Sequence, residues 1–526
     1  MTPPSWREAE RQVYLMAKSE SRLKNSIRNS AFGLFAEVTT LILGFFVRSV
    51  FVQTLAEDYL GVNGLFTNIL QVLSFAELGI GNAIVFSLYK PIREKDGERI
   101  RQYVAFYKTA YRIIGTVVAV LGLLLVPFLD FIIVDKPNIP DNLIVIYLLY
   151  LANTVFSYFC VWKRTFMTAN QERYIGTVVE QIFTIIQVIV QIVLLYTTHN
   201  FILYLATMIV SNQVRNVIIA RICSKRYPVV DEKPQNDLTK EEKKSIFENV
   251  KALFVYKLSG VVLGSTDNIL IQAIINFRSV SLYSNYSMII TNFRLLANQL
   301  LNGITASVGD LNASEDNKAK EEVFYRLLFV SFWLYGFLCV GFTSTVEHLI
   351  SAWLGYRFIL PIGVVTAIAF SFYVEGMQFA GFTYRTTMGL FRESVAAPVA
   401  SAIINVVLSI ILGYKMGMSG IFIATGISRL VTTTWVDGYL VFKKRLNKSP
   451  VKFYATYIVY FLFAAGAAFL LRALLPLFEF EGWGGFIKAA VITTLVYNGL
   501  FAVVFGSTTK VFHDVIKMFL KRGKKV

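Results

Sequence analysis

Apolar stretches of about 20 residues, the length a helix needs to cross a hydrocarbon core, recur fourteen times along this chain. They fall near 29–54, 61–89, 108–134, 142–166, 174–197, 200–222, 250–275, 280–308, 324–350, 357–384, 393–414, 418–442, 453–475 and 485–507. The pattern predicts an all-α membrane protein with 14 transmembrane helices. Residues 1–28 are charged and only weakly amphipathic, so the first apolar run is expected to stay as an anchor. The stretch from Pro91 to Tyr107 reads as an amphipathic helix on the cytoplasmic surface.

A weak internal repeat runs through the pattern. Ala206-Thr207 and Lys225-Arg226 return as Ala424-Thr425 and Lys443-Lys444 at an offset of 218. Leu34-Phe35 and Gln53 return as Leu253-Phe254 and Gln272 at 219, and Leu73 and Gly81 as Leu295 and Gly303 at 222. Each copy holds six spans, so both enter the membrane in the same sense, as in transporters built from parallel repeats. The predicted organisation is an N-terminal lobe over 1–235, a C-terminal lobe over 236–450, and two further helices with a basic tail over 451–526. The longest hydrophilic loop, about 223–249, separates the lobes as a cytoplasmic linker with a short helix.

Charge then orients the chain. Of 51 Lys and Arg residues, 39 flank segment ends in one compartment and six lie in the other. Basic residues are retained in the cytoplasm, so both termini are placed there. This sorting accounts for the net charge of +17 without nucleic acid as a partner, and the tail Lys521-Arg522-Gly523-Lys524-Lys525 is suited to anionic membrane lipids. Three scattered cysteines and three scattered histidines form neither a disulfide framework nor a metal site. Loops outside the cytoplasm are short, and no nucleotide-binding loop is present, which argues against an enzyme.

Six basic residues escape the sorting: Arg48, Arg112, Arg215, Lys257, Arg294 and Arg429. Arg112 and Arg215 lie near cytoplasmic ends and can snorkel. The other four lie deeper, where each charge costs at least about 2.5–3.5 kcal/mol at a helix centre; they are the candidate cavity cations. Helical spacing places Asn63, Thr67, Gln71 and Ser74 on one stripe of the second segment with Glu77 beside it. It aligns Lys257, Asn268 and Gln272 on the seventh, and puts Asn292 on one side of the eighth and Arg294 with Asn298 on another. The competing reading is that these polar groups only hold helices together, and that Gly260 and Gly264 form a close-packing seam. Glu37, Glu77 and Asp267 are candidate ion-coupling or gating acids, and salt-bridge partnership with the cations is the plainer role for them. Depth matching pairs Glu37 with Lys257 and Arg48 with Asp267 across the lobes. Tyr283, Tyr286, Tyr373 and Tyr384 could stack on sugar rings, though packing is the commoner use of such residues.

The stretches Tyr59-Leu60-Gly61-Val62-Asn63-Gly64-Leu65 and Leu73-Ser74-Phe75-Ala76-Glu77-Leu78-Gly79-Ile80-Gly81-Asn82-Ala83 resemble bacterial polysaccharide-biosynthesis transporters. These are the oligosaccharide flippases of the multidrug/oligosaccharidyl-lipid/polysaccharide exporter superfamily. The resemblance implies two six-helix lobes plus two helices in the bacterial inner membrane. It also implies a polyprenyl-diphosphate-linked oligosaccharide as cargo, flipped by alternating access, with polysaccharide-assembly proteins as partners. No catalytic residue carries over. No cofactor is expected beyond a proton or sodium gradient. A multidrug or cation antiporter and a peptidoglycan-precursor flippase stay open as alternatives, with a membrane-embedded glycosyltransferase or polymerase behind them.

Overall fold

The computed structural model describes residues 32–523 apart from 34, 75–79, 134–136, 171, 245, 249–265, 313–315, 389 and 479. Eight helices precede the central linker: α1 (Phe35–Thr54), α2 (Asp58–Leu73), α3 (Ile80–Glu94), α4 (Gly97–Leu125), α5 (Leu143–Ser157), α6 (Val161–Ala169), α7 (Arg173–Thr198) and α8 (Phe201–Arg226). After a helical stretch at 266–274 come α9 (Phe277–Asn312), α10 (Asn317–Trp353), α11 (Ile362–Met377), α12 (Phe379–Thr387), α13 (Ala396–Met416), α14 (Met418–Arg429), α15 (Val451–Leu474), α16 (Gly482–Thr508) and α17 (Lys510–Gly523).

Element boundaries carry the repeat more clearly than residue identities do. The starts of α4 and α10, Gly97 and Asn317, differ by 220 in number. For α5 and α11, starting at Leu143 and Ile362, the difference is 219, and for α6 and α12, at Val161 and Phe379, it is 218. Both members of the first pair start on an aspartate. Asp96 accepts from the Arg99 amide at 3.0 Å and Asp316 from the Ala319 amide at 2.9 Å, satisfying donors that a helix start leaves open.

Nine helices among the described residues are long and apolar enough to cross a membrane, ten if α5 and α6, bent by 44° at their junction, form one span. The spans expected at 61–89 and 250–275 fall partly outside the described residues. The helix over 277–312 is long but polar, and the span expected at 418–442 is broken. After Arg429 its backbone widens into π turns at Leu430–Thr434 and Tyr439–Arg445, the kind of helix defect that gathers at functional sites.

The chain divides into two compact units, residues 1–56, 69–129 and 139–257 in one, and 57–68, 130–138 and 258–526 in the other. In the first, α4 packs on α3, α5 and α6, and α8 on α5, α6 and α7. The expected surface helix from Pro91 to Tyr107 is not one element. α3 ends at Glu94, Lys95 takes the left-handed conformation at φ 56°, and α4 then runs unbroken from Gly97 into the membrane. Asp96 forces this restart by capping α4.

The linker after α8 is strapped to the first unit by acids that alternate with its prolines. Asp231 meets Lys163 at 2.7 Å, Glu232 meets Arg101 at 2.6 Å and Glu242 meets Arg99 at 2.5 Å. Glu98 in turn accepts the Gln235 amide at 2.7 Å. The Thr239 amide, with Arg99 beside it, holds the Glu242 carboxyl below the usual carboxylate range. Partial burial acts against Asp231, but Lys163 and Ser224 outweigh it and lower its carboxyl too.

In the second unit α10 is the central post, packed by α11, α15, α16 and α17. The last two spans attach through an aromatic seam: Phe332 stacks on Tyr460 with ring centroids 4.1 Å apart, and Phe329 lies 5.2 Å from Phe501. α2 approaches α9 closely through Gly61, where a Cβ would come within 2.5 Å of the Phe277 ring.

Candidate functional site

A charge within a membrane persists only with a partner or a wet cavity beside it, and the second unit holds two sites of opposite access. Arg385 Nη1 lies 2.7 Å from Asp437 Oδ1, with only 3% and 4% of the side chains exposed. A Cβ at Gly381 would come within 3.0 Å of the Asp437 Cβ, so the small residue makes room for the acid. The sequence placed Arg385 among the cytoplasmic flanking residues. The structure adds that α12 buries it against a carboxylate 52 residues further on, which offsets its desolvation.

The other site is open. Arg294 from the middle of α9 donates through Nη2 to Glu375 Oε2 at 2.9 Å, and Arg429 Nη2, at the end of α14, stands 4.0 Å from the same oxygen. The three side chains are 38%, 27% and 16% exposed, so the cluster has an accessible face that the Arg385–Asp437 pair lacks. Gln378, in the break between α11 and α12, locks the cluster to the π segment. Its Nε2 donates to Thr433 Oγ1 at 2.5 Å and to Thr434 Oγ1 at 3.0 Å, while its Oε1 faces Arg429 Nη1 at 3.4 Å. The Nε atoms of Arg294 and Arg429 are buried without hydrogen-bond partners.

Asp267 and Asn268 lie on the 266–274 helix next to this cluster. Asp267 is 8% exposed, feels the charges of Arg429, Arg294 and Glu375, and leaves its Oδ1 without a partner. Beside it, Asn405 Nδ2 donates to Thr425 Oγ1 at 2.8 Å, and the Asn405 Oδ1 is again unpartnered. Gln272 is 1% exposed with neither side-chain polar atom bonded. Buried oxygens left this way suit a water, a proton or a small cation.

The remaining sequence candidates fall in several places. Asn292 bonds back to the Met288 carbonyl at 3.0 Å, a local role within α9, and Asn298 Oδ1 accepts from the Tyr335 hydroxyl at 3.4 Å. Asn63 is half-buried and Gln71 is exposed, both on α2. In the first unit Arg48 sits beside Tyr204 and Tyr150, and Glu37 is half-buried on α1. Arg215 does more than snorkel: it faces Glu180, which Arg164 also meets at 2.6 Å. Lys257 and Glu77 lie outside the described residues. Tyr286, Tyr373 and Tyr384 are core residues, at most 3% exposed. Tyr286 accepts the Leu360 amide and Tyr384 donates to the Lys320 carbonyl, which leaves none of the three a free face for a sugar ring.

Sequence reasoning singled out Arg294, Arg429 and Asp267 but did not assign Glu375, Gln378, Asn405 or Thr425 to the site. An acid in mid-segment was the available signal for Glu375; its pairing across 81 residues was not. No cluster of metal-ligating side chains occurs among the described residues.

No protein-family model and no curated protein sequence matches this chain. Solved structures do. The lipid II flippase MurJ in its inward closed conformation aligns at a TM-score of 0.63 and 16% identity, over 90% of this chain and 99% of that one. The chain has the fold of MOP-superfamily transporters. An inward-facing multidrug resistance MATE family transporter aligns at 0.59 and 12% identity, over 80% and 98% of the two chains. A MOP superfamily transporter from Pyrococcus furiosus, noted for the reversed polarity of its binding pocket, aligns at 0.54 and 12%, over 81% and 97%. These neighbours are transporters and flippases, not enzymes.

Proposed function

We propose that this protein is a flippase that carries a polyprenyl-diphosphate-linked oligosaccharide from the cytoplasmic to the outer leaflet of a bacterial plasma membrane, for cell-surface polysaccharide synthesis. The observation that carries the reading is the pair Arg294, midway along α9, and Arg429, at the end of α14, with side chains 38% and 16% exposed around one carboxylate. Guanidinium forks match phosphate oxygens bidentately, and a diphosphate is a compact anion that needs such a clamp in a medium of low dielectric. Arg48 from the N-terminal lobe and Lys257 from the C-terminal lobe would add cations, and rocking of the lobes would move the headgroup while the lipid tail stays in the bilayer. Asp267, with its unpartnered oxygen beside Asn405 and Thr425, is the acid best suited to couple transport to a proton or sodium gradient. The basic tail would rest on anionic lipids, and assembly proteins would take the cargo on the outer face.

A flippase for peptidoglycan precursor uses the same diphosphate chemistry, and the likeness of fold to MurJ favours it as the second reading. Deleting the gene should make lipid-linked oligosaccharide accumulate in the inner leaflet, and Arg294→Gln or Arg429→Gln should fail to complement while remaining in the membrane. Accumulation of peptidoglycan precursor instead would select the second reading. Drug sensitivity without any lipid-linked intermediate would replace both with drug export.

A further inference from the structure

We propose that Glu375 is a stand-in for the ligand's phosphate: in the unloaded protein it occupies the cradle between Arg294 and Arg429, and an incoming diphosphate displaces it. The inference rests on the arginine pair being the headgroup site.

The geometry is that of a placeholder more than of a structural ion pair. Arginine–carboxylate pairs are frequently bidentate, both prongs of one guanidinium meeting both oxygens of one acid. Here a single oxygen, Oε2, serves two arginines, at 2.9 Å and 4.0 Å. Both arginine Nε atoms are left buried without partners, and Arg429 Nη1 reaches only Gln378, at 3.4 Å. Donors thus exceed the acceptors that one carboxylate supplies, and the several oxygens of a diphosphate would fill them.

Access agrees with this. The cluster is open, with the Arg294 side chain 38% exposed, whereas the sealed Arg385–Asp437 pair shows what this fold builds when a pair only holds helices together. Glu375 sits three residues before Gln378, in the last turn of α11, within the single span Ile362–Thr387. A resident carboxylate also sets a threshold, since weakly held monoanions cannot compete with it while a diphosphate can.

Inorganic pyrophosphate binding to the full-length protein in lipid nanodiscs, measured by calorimetry, tests this. Glu375→Gln should bind pyrophosphate about tenfold or more tighter than wild type, corresponding to about 1.4 kcal/mol, and Arg294→Gln and Arg429→Gln should abolish binding. Should Glu375→Gln not fold, Glu375→Asp, which keeps the charge but shortens its reach, should tighten binding by a smaller factor. If binding depends on both arginines but neither Glu375 variant tightens it, the stand-in role is wrong and the headgroup site survives. If no variant or wild type binds, or the arginine variants bind as wild type does, the headgroup site falls and the stand-in role with it.

Discussion

A guanidinium buried in the fold can be paired and sealed or paired and left open, and Arg385 and Arg294 are examples of each. Removing one partner of a sealed pair strands the other charge. Arg385→Leu should therefore lower stability by about 3–5 kcal/mol, read as a large drop in the thermal midpoint of the purified protein. Arg385→Leu combined with Asp437→Leu should recover most of that loss, since apolar replacement of a whole buried pair is close to neutral. Arg294→Gln should change the midpoint far less, because its side chain is 38% exposed and its partner retains Arg429 nearby. Residue chemistry was legible in the sequence only as far as depth. Arg294 and Arg429 stood out because they broke the sorting of basic residues, and Asp267 because it is an acid deep in an apolar segment. Arg385 did not, because its pairing with Asp437 across 52 residues appears only in the folded chain. Glu375 acquires meaning only once two helices 81 and 54 residues away in sequence are folded against it.

At the scale of elements, the repeat lives in boundaries. Caps and breaks at Asp96 and Asp316, or after Ser157 and Met377, recur at offsets near 219 although few residues match. Capping needs one side chain and a break needs only a local mismatch, so these features persist where packing residues drift. The strap over the linker was not legible, because Asp231, Glu232 and Glu242 looked like ordinary solvated charges until Lys163, Arg101 and Arg99 were placed beneath them. Asp231 and Glu242 both titrate below their usual range. Their contribution to docking is thus complete above the ordinary carboxylate pKa and is lost as pH falls through the lowered folded values. Limited proteolysis should find residues 228–244 protected at neutral pH and cut progressively faster as pH drops below the ordinary carboxylate range. The double variant Arg99→Ala with Arg101→Ala should be cut readily at neutral pH, and equal protection in that variant would show that the ion pairs do not hold the strap.

At the scale of the whole molecule, the all-helical membrane architecture followed from two one-dimensional signals, apolar run length and the placement of Lys and Arg. Both act through the bilayer, not through specific contacts, which is why they needed no tertiary information. What each unit does with its polar residues required the folded chain. It concentrated the accessible embedded charge of the second unit at Arg294, Glu375 and Arg429, and left Asp267 beside them with an unsatisfied oxygen. An anionic cargo is the function most compatible with two open arginines held by a single shared carboxylate. The most direct measurement is flipping in proteoliposomes containing the purified protein and a fluorescent short-chain prenyl-diphosphate-linked sugar, followed by accessibility to a quencher outside. Wild-type protein should accelerate transfer well above protein-free liposomes, and Arg294→Gln and Arg429→Gln should return it to the protein-free rate. Transfer by both arginine variants at the wild-type rate would contradict the assignment of this cluster as the headgroup site.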